Sequence, residues 1–266
     1  MRKTIKSILL GAVAVSLAMT SGCGKGNETG SESKSNSTAD ESTASYRRPL
    51  RAPEDYGKVI ALTFDDGPNT TTTAQVLDKL EEYGVTASFF VVGDNITEDS
   101  AKVMKRAYDM GCEIHNHSKT HSDMTTMTEE QIKEDIKFTS DKVEEITGEA
   151  PKFFRPPYIA VNQTMFDSID MPFISGYGSE DYNDKVDIEE RAKRTIDQAK
   201  DGSIILLHDT AGNVRTVAAL DIIIPKLQDE GYEFVTMTEL FHAKEVEISP
   251  DAEIIYSYAQ QTEMYG

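Results

Sequence analysis

From residue 57 onward the chain predicts an α/β fold, a distorted (β/α) barrel of about seven strands, and three observations carry that expectation. Short apolar runs alternate with amphipathic helical patterns, which implies parallel strands joined by crossovers. The alternation lasts about 190 residues, enough for one barrel-like domain. Chemistry-bearing residues follow the ends of several apolar runs, where a (β/α) barrel carries its site. No internal repeat is present.

The apolar runs place strands at residues 58–64, 86–92, 111–115, 152–155, 172–175, 203–207 and 233–236. A helix is expected over residues 72–83, with Val76, Leu77, Leu80 and Tyr83 on one face. A second starts at the capping box formed by Thr128 and Gln131 and buries Ile132, Ile136, Val143 and Ile146. A third begins at Asp187 with Ile188, Ala192, Ile196 and Ala199 inward. The stripe Val214, Val217, Leu220, Ile224 and Leu227 reads as core, with Pro225 expected to kink or break its helix. Residues 246–266 pattern weakly, with Ile254, Ile255, Tyr256 and Tyr258 among acids, and read as either a docking strand or a loose tail.

The N-terminal part supplies an address. Residues 1–22 form a signal peptide: Arg2, Lys3 and Lys6, then an apolar stretch over residues 8–17 too short to stay as a spanning helix, then small residues. Ser21, Gly22 and Cys23 resemble a bacterial lipobox, which makes Cys23 the expected lipidation site. Thr20 stands where that box usually has Leu, so plain secretion is the alternative. Cys112, the other cysteine, is expected to pack as a small apolar residue, and no disulfide framework is implied. Residues 24–45 are nearly all small, polar or charged and cannot bury a core. They form a flexible tether with a root-mean-square reach on the order of 25 Å. The expected organisation is signal peptide 1–22, tether 23–50, catalytic domain 51–245 and C-terminal tail 246–266.

Net charge is −19, and loss of the leader removes three bases and no acid. Such an acidic chain argues against nucleic acid and against electrostatic docking to an anionic membrane. A lipid anchor is then the sole expected membrane contact, and a monomer outside a bacterial cell is the expected state.

The most informative residues are Asp65 and Asp66, which close the run Val59, Ile60, Ala61, Leu62, Thr63 and Phe64, and the pair His117 and His121. Adjacent strand residues face opposite ways, but at a strand end the backbone can turn both carboxylates to one site. Histidines at i and i+4 share one face of a helical turn. One carboxylate with two imidazoles makes a three-ligand set that leaves positions for water and substrate on a divalent metal. The other carboxylate is then available as a general base. Taken singly these features read more often as a turn and as surface histidines. Three of the five histidines fall within seven residues, His115, His117 and His121, which weighs against chance. His115 reads as a strand-end residue.

Two further stretches complete an ordered set: Arg155, Pro156, Pro157 and Tyr158, then Leu206, Leu207 and His208 after an apolar run. With these four motifs in order across residues 57–241, the chain resembles the polysaccharide deacetylases, the NodB homology domain of carbohydrate esterase family 4. The resemblance implies Asp65 as general base and Asp66, His117 and His121 as metal ligands. It implies that Arg155 orients Asp65, that the backbone N–H of Tyr158 helps hold an oxyanion, and that His208 protonates the leaving group. An acid–x–x–acid–Trp motif of the family corresponds to Gly178 through Tyr182. Asp181 keeps the carboxylate that would orient and charge His208, while Gly178 replaces the first acid and Tyr182 the tryptophan. The chain has no tryptophan, so a sugar-stacking wall must come from Tyr or Phe. Pro156, Pro157, Tyr158, Tyr182 and Leu206 are the expected substrate-binding residues.

The chemistry can also be argued directly. Amide hydrolysis needs a strong nucleophile, charge stabilisation on the tetrahedral oxygen and a proton for the leaving nitrogen. A two-His, one-carboxylate set suits zinc, the default, and also cobalt, nickel, manganese or iron. The expected activity is metal-dependent N-deacetylation of N-acetylglucosamine polymers of peptidoglycan or chitin type. The alternatives are an O-acetyl esterase on acetylxylan-type polymers and an inactive glycan-binding lipoprotein. A non-haem iron oxygenase fits the ligands but leaves Asp65, Arg155 and His208 without a task.

Overall fold

The computed structural model describes residues 49–264. The leader, Cys23 and residues 24–45 lie outside the described residues. Strand β1, Lys58–Asp65, is the centre of the sheet, and all its residues after Lys58 are buried. A strand buried on both faces reads as a continuous apolar run, as this one does. Its alternation sorts two cores. Ile60, Leu62 and Phe64 face an outer helical layer, whereas Val59 and Ala61 meet Phe90, Ile174, Ile204 and Val235 inside the barrel.

Strands β2, Ser88–Val91, and β3, Glu113–Asn116, extend the sheet on one side of β1. On the other side β6, Ile204–His208, pairs with the second half of β1, and β7, Tyr232–Val235, with the first half. Beyond β3 a single bridge at Phe154 leads to β4, Phe173–Ile174. β5, Tyr177–Gly178, lies on the outer edge of β6. β8, Ile255–Tyr256, pairs with β4, and the following residues bond back to β6 through Ile204 N–H to Ser257 O and a bridge of Ser203 to Tyr258. These contacts close a distorted barrel. The C-terminal segment is therefore a docking strand rather than a loose tail. Gln261 fixes it by donating to the Ile255 carbonyl and accepting from the Ser257 N–H.

Helices α1 (Thr72–Tyr83), α2 (Glu98–Asp109), α3 (Glu129–Thr147), α4 (Gln163–Ser168), α5 (Ile188–Gln198), α6 (Val214–Asp229) and α7 (Met237–Ala243) complete the order. α1 spans the residues that its apolar period predicts, and the Thr128 capping box forms with both reciprocal bonds. α2 was hidden from pattern reading because its capping box pairs Thr97 with Ser100 instead of the usual Glu or Gln. The expected strand at 152–155 shrinks to the Phe154 bridge.

At α6 the break expected as one alternative at Pro225 is absent, and the place of Val214 in the core is corrected. The helix runs through Pro225 without ending. A proline in a helix interior costs about 3 kcal/mol. Leu220, Ile223, Ile224 and Leu227 are fully buried around it, and each buried aliphatic side chain contributes about 1.5–3 kcal/mol, so packing wins. Val214 is not core: as the first residue of the helix it stands 55% exposed. Cys112 packs as expected, and burial pushes its thiol up to about 12, which makes it unreactive. No helix among the described residues is long and apolar enough to cross a membrane.

Candidate active site

Strand register assembles the site. Asp65, last in β1, lies opposite His208, last in β6. Asn116 ends β3 beside Phe154, so His117 and Arg155 leave neighbouring strands together. Parallel strands end on one side of a barrel, and these ends deliver four chemical groups to one place.

Asp65 is buried, and its Oδ1 accepts from Arg155 Nη1 at 2.5 Å. Arg155 is fully buried, donates from Nη2 to the Ser175 carbonyl and stacks 4.0 Å over the Phe90 ring. Burial holds its guanidinium below the usual value, opposed by the charge of Asp65. The other carboxylate oxygen of Asp65 stays 3.6 Å from His117 Nε2.

Asp66 turns out of the strand with φ of 77°, which sends its carboxylate to the side reached by Asp65. Its Oδ1 is buried, receives no hydrogen bond, and lies 3.6 Å from His117 Nε2 and 3.4 Å from His121 Nε2. The histidine pair does not sit on a helix, contrary to the i, i+4 expectation. It spans a loop with left-handed residues at Ser118 and His121, φ of 68° and 58°, where the His121 N–H donates to Ser118 Oγ. His117 Nδ1 donates to the Arg155 carbonyl at 2.7 Å, since a carbonyl can only accept. That bond leaves Nε2 with its lone pair toward Asp66. Burial lowers the pKa of His117 despite the carboxylates nearby, which favours the neutral imidazole that a metal requires.

Donor atoms of Asp66, His117 and His121 all lie within 4.8 Å of one another. An undonated buried carboxylate oxygen facing two imidazole nitrogens fits a divalent cation. His115 is not part of this group. It lies inside β3, pairs with Glu113 at 3.2 Å and packs between Phe90 and Phe153, tilted to the first ring and edge-on to the second.

His208 lies across from Asp65. Its Nδ1 donates to Asp181 Oδ1 at 2.7 Å, and its backbone N–H donates to Oδ2 at 2.8 Å. Burial disfavours the imidazolium, but the hydrogen bond and charge of Asp181 outweigh it and raise the pKa to about 9. Asp181 also accepts from Thr216, which with Asn213 accepts from the buried Arg191.

A cavity of about 660 Å³ runs over these groups, walled by Pro156, Tyr158, Gly178, Tyr182 and Leu206. Tyr158 and Tyr182 stand exposed on its rim, Tyr182 edge-on to His208 and Tyr158 to His121. Pro157 is buried at the start of a short turn and is not among the residues that wall the cavity. A second trough of about 560 Å³ continues on the other side of Asp66 and His121. Sequence reasoning missed Asn95, Thr210, Thr216 and Arg191, which bond the site residues or their partners. Only Thr210, two residues after His208, gave any cue.

The profile of the polysaccharide deacetylases matches residues 52–170. A peptidoglycan-N-acetylglucosamine deacetylase of Bacillus cereus is 37% identical over 197 residues, 70% of this chain and 90% of that protein. This chain belongs to the polysaccharide deacetylase family. A bifunctional xylanase/deacetylase of Pseudobutyrivibrio xylanivorans is 43% identical over 240 residues, 90% of the present family member and 36% of that protein. A family 4 acetyl xylan esterase from Clostridium thermocellum, solved in complex with a cobalt ion, superposes with a TM-score of 0.75 at 43% identity. That match covers 77% of the present family member and all of the esterase chain. This polysaccharide deacetylase family member spans 36–40% of the length of the first curated relatives it matches.

Proposed function

We propose that this protein is a metal-dependent carbohydrate deacetylase that hydrolyses N-acetyl groups of N-acetylglucosamine-containing polymers. The observation that carries the reading is the placement of an Arg-held carboxylate opposite an imidazole whose pKa is raised to about 9. Asp66, His117 and His121 would hold one divalent ion, with zinc the default and cobalt an equal fit to the donors. When bound, the ion lowers the pKa of water and polarises the acetyl carbonyl.

Arg155 holds Asp65 through Oδ1 and leaves Oδ2 to take the proton of the attacking water. The water oxygen bonds to the acetyl carbon as that proton moves. The oxyanion accepts from the backbone N–H of Tyr158, and the left-handed φ of 59° at that residue supports such a turned amide. His208, protonated at neutral pH, gives its Nε2 proton to the nitrogen as the C–N bond breaks. Acetate and a free amine leave. Asp181 keeps the ring oriented and then favours its reprotonation.

A charged acid favours the N-acetyl reading, because an expelled amide nitrogen needs a proton more than an alkoxide does. A second reading, O-acetyl esterase on acetylxylan, is supported by the 43% identity to the xylanase/deacetylase and to the acetyl xylan esterase. The small Gly178 beside the cavity supports it as well. Cys23 as an acylated N-terminus would hold the domain beside the cell wall through its tether. Acetate release from N-acetylated chitooligosaccharides and peptidoglycan, beside acetylxylan, tests both readings after metal reconstitution. Release from acetylxylan alone would overturn the N-acetyl assignment, and release from none of them would overturn the enzyme.

A further inference from the structure

The geometry points to Thr210 as a positioning residue that makes Asp66 a one-oxygen ligand. The inference rests on the proposed metal site and concerns a residue outside the motifs that carried it.

Thr210 Oγ1 donates to Asp66 Oδ2 at 2.7 Å. The two oxygens of this carboxylate are thereby divided: Oδ2 is engaged by a hydroxyl, while Oδ1 has no donor and faces both imidazoles. A hydrogen bond to one oxygen fixes the carboxylate plane as well as its lone pairs, which is how outer partners commonly orient ligands. The backbone is held independently, since Asn95 Nδ2 donates to the Asp66 carbonyl at 2.7 Å.

Thr210 is itself fixed against the aspartate turn. The Asp209 N–H donates to the Asp65 carbonyl, and Asn69 Nδ2 donates to the Asp209 carbonyl. Thr73 donates to the buried Asp209 carboxylate. Gly67 passes so close that a Cβ there would meet Asp209 Oδ2 at 2.5 Å, which only glycine avoids. The end of β6 and the turn that follows it thus carry His208 and the hydroxyl that aims Asp66. Without that hydroxyl the carboxylate is free to rotate, and either it leaves the imidazoles or it presents both oxygens and fills a position that water and substrate need.

The test titrates metal-free wild type, Thr210→Val, Thr210→Ser and Asp66→Ala with zinc against a chromophoric chelator, and with cobalt by visible absorption. Thr210→Val should bind zinc about 10–100-fold more weakly, with an altered cobalt band intensity. Thr210→Ser, which keeps the hydroxyl, should restore both. Thr210 is exposed, so an unchanged thermal midpoint of the metal-free Val variant will separate this effect from misfolding. Equal zinc affinity and an unchanged cobalt spectrum in Thr210→Val would overturn the assignment, as would equal losses in the Val and Ser variants. Failure of the wild type to bind metal, or full binding by Asp66→Ala, would instead overturn the metal site itself.

Discussion

Replacing Asp181 by Asn removes one negative charge behind His208 while keeping the shape of the side chain. Asp181 meets donors on both oxygens: the ring Nδ1 on Oδ1, and the His208 N–H and Thr216 hydroxyl on Oδ2. An Asn can satisfy one side only. With its NH2 toward Nδ1 the ring can carry no proton there, and with its NH2 toward the His208 N–H two donors collide. In both cases burial loses its main counterweight, with only the charges of Asp65 and Asp66 left to oppose it, and the pKa falls from about 9 to about 6.5. At pH 7.5 the protonated fraction drops from about 97% to about 9%, and at pH 5.5 it stays above about 90% in both proteins. The loss in kcat/KM should thus be about tenfold deeper at pH 7.5 than at pH 5.5. The assay is acetate release from a soluble N-acetylated oligosaccharide at saturating metal across that range. A ratio of variant to wild type that is constant with pH would refute the argument that Asp181 sets the charge of the acid.

Three other outcomes are expected. Asp65→Asn should retain metal by competition titration yet lose about 10²–10⁴ in kcat, since it removes the proton acceptor and no ligand; a near-normal rate would exchange the roles of the two carboxylates. Chelation should abolish acetate release and added zinc or cobalt should restore it, whereas Asp66→Ala should not recover at the same metal concentration. His208→Ala should cost more on an N-acetylated sugar than on an O-acetyl ester, measured as kcat/KM on each; equal losses would show that His208 does not serve the leaving group.

Much of the site was readable because strand ends are contiguous in sequence with the strands that deliver them. Asp65 follows the run beginning at Val59, and His208 follows the run beginning at Ile204, so an apolar run with a polar residue at its end marks both. The pairing of His208 with Asp181 was also expected, from the resemblance, and their hydrogen bond is present. The spacing of His117 and His121 was informative although its geometric reading was wrong. A four-residue separation brings side chains together in a helix, and a loop with two left-handed residues achieves the same juxtaposition by another path. Val214 misled for a related reason: it continues an apolar stripe but sits at the helix start, where the stripe runs out of partners.

The sequence by itself determined the alternation of strands and helices, the strand ends that carry chemistry, and the acidic character of the chain. These are local properties, set by side-chain periodicity over a few residues. Tertiary structure alone decided that Ile255 and Tyr256 close the barrel, that Phe154 serves as a one-residue link between β3 and β4, and that α6 continues through Pro225. It also decided which carboxylate oxygen of Asp66 is free, because Thr210 reaches Oδ2 from a loop 144 residues away. Such contacts follow from register between parallel strands, and a single polar residue on a loop carries no periodic signal from which its partner can be read.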